Sequence, residues 1–465
     1  MSHLSHLSYV IIDGILISFF LILTVRTKSP IYLLGIPFLL FMGRAIFFDP
    51  IASKLTQYTG LNGIWAMVFF FLIVWFINII WQRRRTRASQ QPFTLFGSVQ
   101  PFIGENPIIL LFILWLLNIG LNSIRFIDIS DMLIASFDAG SIFLGYILVR
   151  GIVANADYPD IVGFIESLCL ITAVSAFLFF LHQGLNITIF EYDLNVTSFA
   201  GGIVSRNTWY FPPLIYLLFS YGLAARKWNK YIALAWILAL LSYVFSYTRT
   251  YILGSLILII VSYVIKCLRF QSLKYIGKLL IAIAGIFIGG CLSYLLLPVQ
   301  TTYMVERLYQ GFTPYGNGPS NLAQRWTFIT DTWASIRPYH FLGIGSPGIS
   351  NFPYEFWSNR HVFDSWIVKA LQYWGIAGIA LIILLFYSGI RLSFKYYFSG
   401  DEKIQVFGLL FTLILIAVLI EGVFGPIFME PYRYPLGFWY FAFLYGIASK
   451  IKMKKIDISF RELSG

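Results

Sequence analysis

The sequence predicts an all-α fold: a polytopic transmembrane helix bundle with about 12–13 spans and one long loop on the non-cytoplasmic side. Three observations predict it. Hydrophobic residues make up 58% of the 465-residue chain and charged residues only 12%, about half the charged share of a soluble domain and too little to cover a soluble surface. The apolar residues come in runs of roughly 18 to 22, long enough to cross about 30 Å of hydrocarbon as helix. Backbone groups find no water there, so the runs must be helical. Basic residues, finally, cluster after alternate runs.

In chain order the candidate spans are 8–25, 30–48, 62–81, 106–124, 132–149, 161–181, 208–225, 230–247, 250–267, 278–297, 365–390, 404–423 and 432–449. The stretch 365–390 reads either as one span or as a short interfacial helix followed by a span. No internal repeat and no Gly/Ser or Pro-rich linker divides the chain, so 1–465 reads as one membrane domain with the loop 298–363 inserted between spans. The first run follows MSHLSHLSYV, which lacks a basic n-region and a small-residue cleavage site; it reads as a retained span. Cys169, Cys267 and Cys291 all fall inside apolar runs and imply no disulfide framework.

Orientation follows from the basic clusters. These are Arg26 and Lys28; Arg83, Arg84, Arg85 and Arg87; Arg226, Lys227 and Lys230; Lys266, Arg269, Lys274 and Lys278; Arg391, Lys395 and Lys403; and the tail from Lys450 to Arg461. All fall on one face, which is cytoplasmic by the positive-inside rule, and so is the C-terminus. The net charge of +12 is thereby explained at anionic headgroups, and no nucleic-acid partner is needed.

The remaining basic residues belong to the outer side: Arg44, Arg125, Arg206, Arg249, Arg307, Arg325, Arg337, Arg360 and Arg433, with Lys54 and Lys369. Arginine predominates where the same rule should deplete it. A planar guanidinium bonds phosphate oxygens in pairs and keeps its charge when partly buried. Each can instead pair with a local carboxylate or reach lipid headgroups, and Arg44 reads best as the partner of Asp13. Asp138, Glu166 and Glu421 also lie in or near spans, without outlining an ion pathway. Arg206 stands just above a span that Pro212 and Pro213 should bend, and Arg249 lies in a turn with room only for two helix ends. The loop 298–363 is too short for a robust core of its own and should lie on the bundle. After it, Asp364 can cap the next helix, and Gly375 and Gly378 allow either close packing or a helix break.

At these residues the chain resembles the O-antigen ligase and Wzy polymerase superfamily of bacterial polysaccharide enzymes. The likeness is an arginine and tryptophan (Arg325, Trp326), a P-x-x-x-x-G-x-G stretch (Pro338, Gly343, Gly345) and a polar residue, Asp364, eleven positions before the first Gly of G-x-x-G (Gly375, Gly378). Arg206, after Gly201-Gly202, and Arg249 match two upstream arginine positions. The best-matching region covers roughly a quarter of the chain. Ligases that load lipid A core typically carry histidine where this chain has Asp364, and His361 is three residues out of register; the resemblance therefore leans towards a polymerase.

The resemblance implies a multi-pass protein of the bacterial inner membrane with a periplasmic active site. It would transfer glycan from undecaprenyl diphosphate to a hydroxyl of a second lipid-linked repeat unit, as in O-antigen or exopolysaccharide synthesis. Arg206 and Arg249, then Arg325 and Arg360, are the candidates for the diphosphate. Asp364 is the candidate general base, with His361 the alternate; capping alone would also account for Asp364. Trp326 and Trp357 are the loop aromatics that stand out for stacking on sugar rings, beside an interfacial role for most of the others. No cofactor and no metal is expected. The implied partners are the undecaprenyl-diphosphate-linked oligosaccharide, membrane lipid, a flippase and a chain-length regulator. A ligase acting on lipid A core and a non-enzymatic transporter are the alternative readings.

Overall fold

A computed structural model describes the backbone of residues 2–36, 72–74, 76–77, 79–80, 103–126, 129–184, 195–199, 202–206, 212–225, 230, 233–237, 249–312, 321–335, 341–343, 366–424 and 436–463. Most of the predicted spans 30–48, 62–81 and 230–247 lies outside these residues. The helices are α1 (Ser2–Thr27), α2 (Asn106–Phe126), α3 (Ile129–Asn155), α4 (Tyr158–Gly184), α5 (Pro212–Ala224), α6 (Arg249–Phe270), α7 (Lys274–Leu296), α8 (Pro298–Phe312), α9 (Asn321–Ser335), α10 (Trp366–Tyr397), α11 (Glu402–Phe424) and α12 (Leu436–Leu463). Short 3-10 turns lie at Pro30–Leu34 and Ile103–Glu105, and residues 72–74, 76–77, 79–80, 230 and 233–237 are also helical.

Four of these helices contain segments long and apolar enough to cross a membrane: Leu253–Phe270, Lys274–Leu296, Trp374–Tyr397 and Glu402–Ile420. Shorter apolar helical segments, Gly14–Thr27, Asn106–Asn118 and Phe143–Asn155, belong to α1, α2 and α3.

The helices α11 and α12 form the centre. α11 packs against α5, α6, α10 and α12, while α12 packs against α3, α10 and α11. Leu413, Leu415, Trp439, Phe441 and Ala442 are wholly buried there. Those positions are aliphatic or aromatic, and two buried hydroxyls of the same helices find partners, Thr412 in the Gly408 carbonyl at 2.8 Å and Tyr445 in that of Gly104. α7 is the opposite case. It packs against α6 and α8 but buries no residue, and Ile281 and Phe287 are each 73% exposed. An apolar helix so placed is stable where its outer face meets hydrocarbon.

The ends assigned to the cytoplasm from charge alone meet in space. Arg269, at the end of α6, donates to the Ser399 carbonyl in the α10–α11 turn at 3.3 Å, and its guanidinium lies 4.7 Å from the Tyr397 ring. Asp401 caps α11, accepting from the Lys403 amide at 2.8 Å. Lys450 of α12 donates to the Ala156 carbonyl between α3 and α4 and lies 3.6 Å from Asp157.

The same end holds a buried ion pair. Glu105 accepts from Arg150 at Nε and at a terminal guanidinium nitrogen, 2.9 Å away, and from the Tyr146 hydroxyl at 2.7 Å. Beside it the Gly104 carbonyl accepts from Tyr445 at 2.8 Å and from Ser388 at 3.1 Å. The pair thus ties the start of α2 to α3, α10 and α12. A bidentate guanidinium–carboxylate with a third donor is the arrangement that offsets the cost of desolvating both charges. Glu166, one of the acids noted near a span, accepts from the Tyr221 hydroxyl at 2.7 Å and joins α4 to α5.

The fold is helical as expected, with one local addition and one correction. Asn195–Phe199 (β1) and Gly202–Arg206 (β2) form an antiparallel two-stranded ladder in which Asn195 faces Arg206. Two residues, Ala200 and Gly201, separate the strands, the loop length that matches strand twist in a hairpin. Pro212 and Pro213 do not bend a helix near its end. They occupy the first turn of α5, where the missing N–H has no intrahelical partner to lose.

Candidate functional site

The end of the bundle opposite Arg269 and Lys450 is built by the elements that follow α7. Because α6 and α7 form a tight antiparallel pair around Gln271–Leu273, the C-terminus of α7 returns to the level where α6 begins, at Arg249. Pro298 starts α8 there. α8 packs against α6, α7 and β2, and β2 packs against α4. α9 then packs against α8 and α10. The long loop 298–363 therefore contributes two helices that lie on the bundle, over the strand that ends at Arg206 and beside the helix that begins at Arg249.

The second half of this end is a break in α10. Gly375 has φ 61° and ψ −155°, a combination open essentially to glycine alone. Of the two alternatives left by Gly375 and Gly378, the helix break is the one adopted. Beyond it the helix continues over residues 376–397, most of the membrane-length segment Trp374–Tyr397 and about 33 Å of helix, enough to span alone, so the break sits at one end of that segment and not at its middle. Interruption frees the Ala377 amide from a carbonyl four residues back. It donates instead to the Phe341 carbonyl, 3.2 Å away.

The neighbouring carbonyl, of Leu342, accepts from the Asn118 side-chain amide. Asn118 is buried in α2, among apolar residues, where an amide needs a partner. Gly343, at φ 74°, then turns the chain in the left-handed region. Below this seat, Trp374 and Trp115 are buried and meet edge to face with ring centroids 5.3 Å apart. A Cβ on Gly378 would fall 2.0 Å from that of Trp374. The two residues before Gly343 are thus tied on one side to the G-x-x-G turn by the Ala377 amide and on the other to α2 by Asn118.

The candidate residues divide as follows. Arg206 ends β2, Arg249 begins α6 and Arg325 lies in the second turn of α9; the backbone brings all three to this one end. Arg125, near the end of α2, and Arg307, in α8, share it. Trp326 is on α9 with 68% of its surface exposed. Trp357, Arg360, His361 and Asp364 lie outside the described residues, as do Arg44, Lys54, Arg337, Pro338, Gly345 and Arg433. The side chain of Asp13, the expected partner of Arg44, is outside them too.

Asn118 and the Glu105–Arg150 pair were not singled out in the sequence. Asn118 carries a readable signal, a lone amide inside an apolar run. Glu105 and Arg150 are 45 positions apart, and no spacing rule connects them.

Among known proteins, no family model and no curated protein matches this sequence.

Proposed function

We propose that the chain is a membrane glycosyltransferase that polymerises undecaprenyl-diphosphate-linked oligosaccharide repeat units on the periplasmic face of the bacterial inner membrane. The observation that carries this reading is the meeting of Arg206, Arg249 and Arg325 at one end of the bundle. That end also holds the two docked glycine motifs, and no carboxylate cluster is described there. Arginines at that level face the depth of a lipid diphosphate.

In the proposed step the acceptor hydroxyl oxygen bonds the anomeric carbon of the donor sugar, and the bond from that carbon to the diphosphate oxygen breaks. The leaving undecaprenyl diphosphate keeps the electron pair, and fixed guanidinium charge offsets what develops on it. The acceptor proton passes to Asp364, with His361 as the alternate base. No step calls on a metal. A bundle of about 12–13 spans, with loop 298–363 periplasmic and the C-terminus cytoplasmic, completes the reading.

Complementation of a polymer-deficient strain tests it. Arg206→Ala or Arg249→Ala should leave a folded protein at wild-type level whose cells carry only single repeat units. Long polymer from both variants would remove these arginines from the mechanism. Polymer that forms but stays off lipid A core in a deletion strain would favour the ligase instead.

A further inference from the structure

We propose that the outward face of α9 is a second glycan-binding surface, a platform on which the polysaccharide chain lies across Trp326 and Trp333. The proposal rests on the polymerase reading for its ligand and on the geometry of α9 for its site. Ala323, Trp326, Thr327, Thr330, Asp331 and Trp333 are all exposed, Trp326 by 68% and Trp333 by 40%. At 100° per residue they occupy one continuous arc of the helix, and position 325 falls outside that arc. The helix therefore separates the position read as diphosphate-binding from the two indoles.

The composition of the arc discriminates among occupants. An interfacial anchor carries Trp, Phe or Leu against the acyl chains and is rich in basic side chains facing the headgroups. Among the described side chains of this arc there is no basic residue, and the charge present is the carboxylate of Asp331. α7 shows the contrast, with Leu280, Ile281, Leu295 and Leu296 all more than half exposed. Two indoles flanked by hydroxyls and a carboxylate suit a pyranose chain. The C–H face of each sugar ring packs on an aromatic face, and ring hydroxyls donate to Asp331 and to the Thr330 oxygen. Thr330 already donates to the Thr327 carbonyl at 2.8 Å, which leaves its lone pairs to accept. Trp326 and Trp333 are seven residues apart, two turns and about 10.5 Å along the axis, so each indole meets a different ring of an extended chain.

The test uses the full-length protein in lipid nanodiscs, labelled with 5-fluorotryptophan. Trp326→Phe and Trp333→Phe assign the two fluorine resonances. The probes are the surface polysaccharide of the bacterium that carries the chain, released by mild acid, and a headgroup-proximal spin-labelled lipid. Both resonances should shift with polysaccharide and stay sharp with the spin-labelled lipid. Trp326→Ala with Trp333→Ala should weaken polysaccharide binding by roughly tenfold or more. Broadening by the lipid, or no response to polysaccharide, would overturn the platform. A polysaccharide response in a chain that extends no repeat units when reconstituted with them would keep the platform and remove the transfer reading, so the two failures are distinguishable.

Discussion

Replacing Gly375 by alanine tests the seat on which the outer site is built. At φ 61° and ψ −155° an alanine Cβ is strained by about 1–3 kcal/mol. The protein has two ways to respond. It can keep the break and carry the strain, or straighten α10 and return the Ala377 amide to its own helix. Straightening forfeits the bond to Phe341, about 0.5–1.5 kcal/mol net, and releases the docked segment. Thermal unfolding in detergent reads the first response as a melting point a few degrees lower. Chymotrypsin reads the second, because the Phe341–Leu342 bond lies in the docked segment and should be cut faster once Phe341 is released. Gly285→Ala is the control. It lies in α7 with nothing within 4 Å of the added Cβ, and alanine there should be neutral or stabilise by about 1 kcal/mol through helix propensity. A Gly375→Ala protein that melts and cleaves like the wild type would refute the account of the break.

Three further outcomes follow from the same contacts. Asn118→Leu leaves the part-buried Leu342 carbonyl without its donor, at about 1–3 kcal/mol, and should speed chymotrypsin cleavage at Phe341 as Gly375→Ala does. Glu105→Gln strands Arg150, whose side chain is 8% exposed; loss of a buried partner costs about 3–5 kcal/mol, while Glu105→Met with Arg150→Met should recover most of it in the same melting assay. Arg206→Ala and Arg249→Ala should melt like the wild type yet abolish chain extension, as judged by the polysaccharide ladder from complemented cells.

The four membrane-length helices were legible in the length of their apolar runs. The bond from Arg269 to Ser399 joins two ends that the basic clusters had placed together, whereas no cluster had marked Ala156, which Lys450 meets. The break at Gly375 was half legible. G-x-x-G permits both tight packing and interruption, and only the freed amide of Ala377, taken up by Phe341, decides between them. The hairpin was missed because NVTSF and GIVSR are short beside runs of roughly 18 apolar residues, and because Ala200-Gly201 is not among the dipeptides, such as Asn-Gly or Gly-Gly, that mark a two-residue hairpin. Glu105 and Arg150 were invisible for a different reason: their pairing depends on how α3 packs against the start of α2, a tertiary fact with no sequence period. At the site, sequence reasoning chose residues by charge and register. The backbone gathers Arg206, Arg249 and Arg325, but the roles assigned to them remain a proposal about chemistry.

The most direct test of that chemistry is reconstitution. The purified protein in proteoliposomes, given undecaprenyl-diphosphate-linked repeat units and a metal chelator, should yield a ladder of lipid-linked polymer with one undecaprenyl diphosphate released per new glycosidic bond. Repeat units recovered unextended by a protein that remains folded in the bilayer would contradict it.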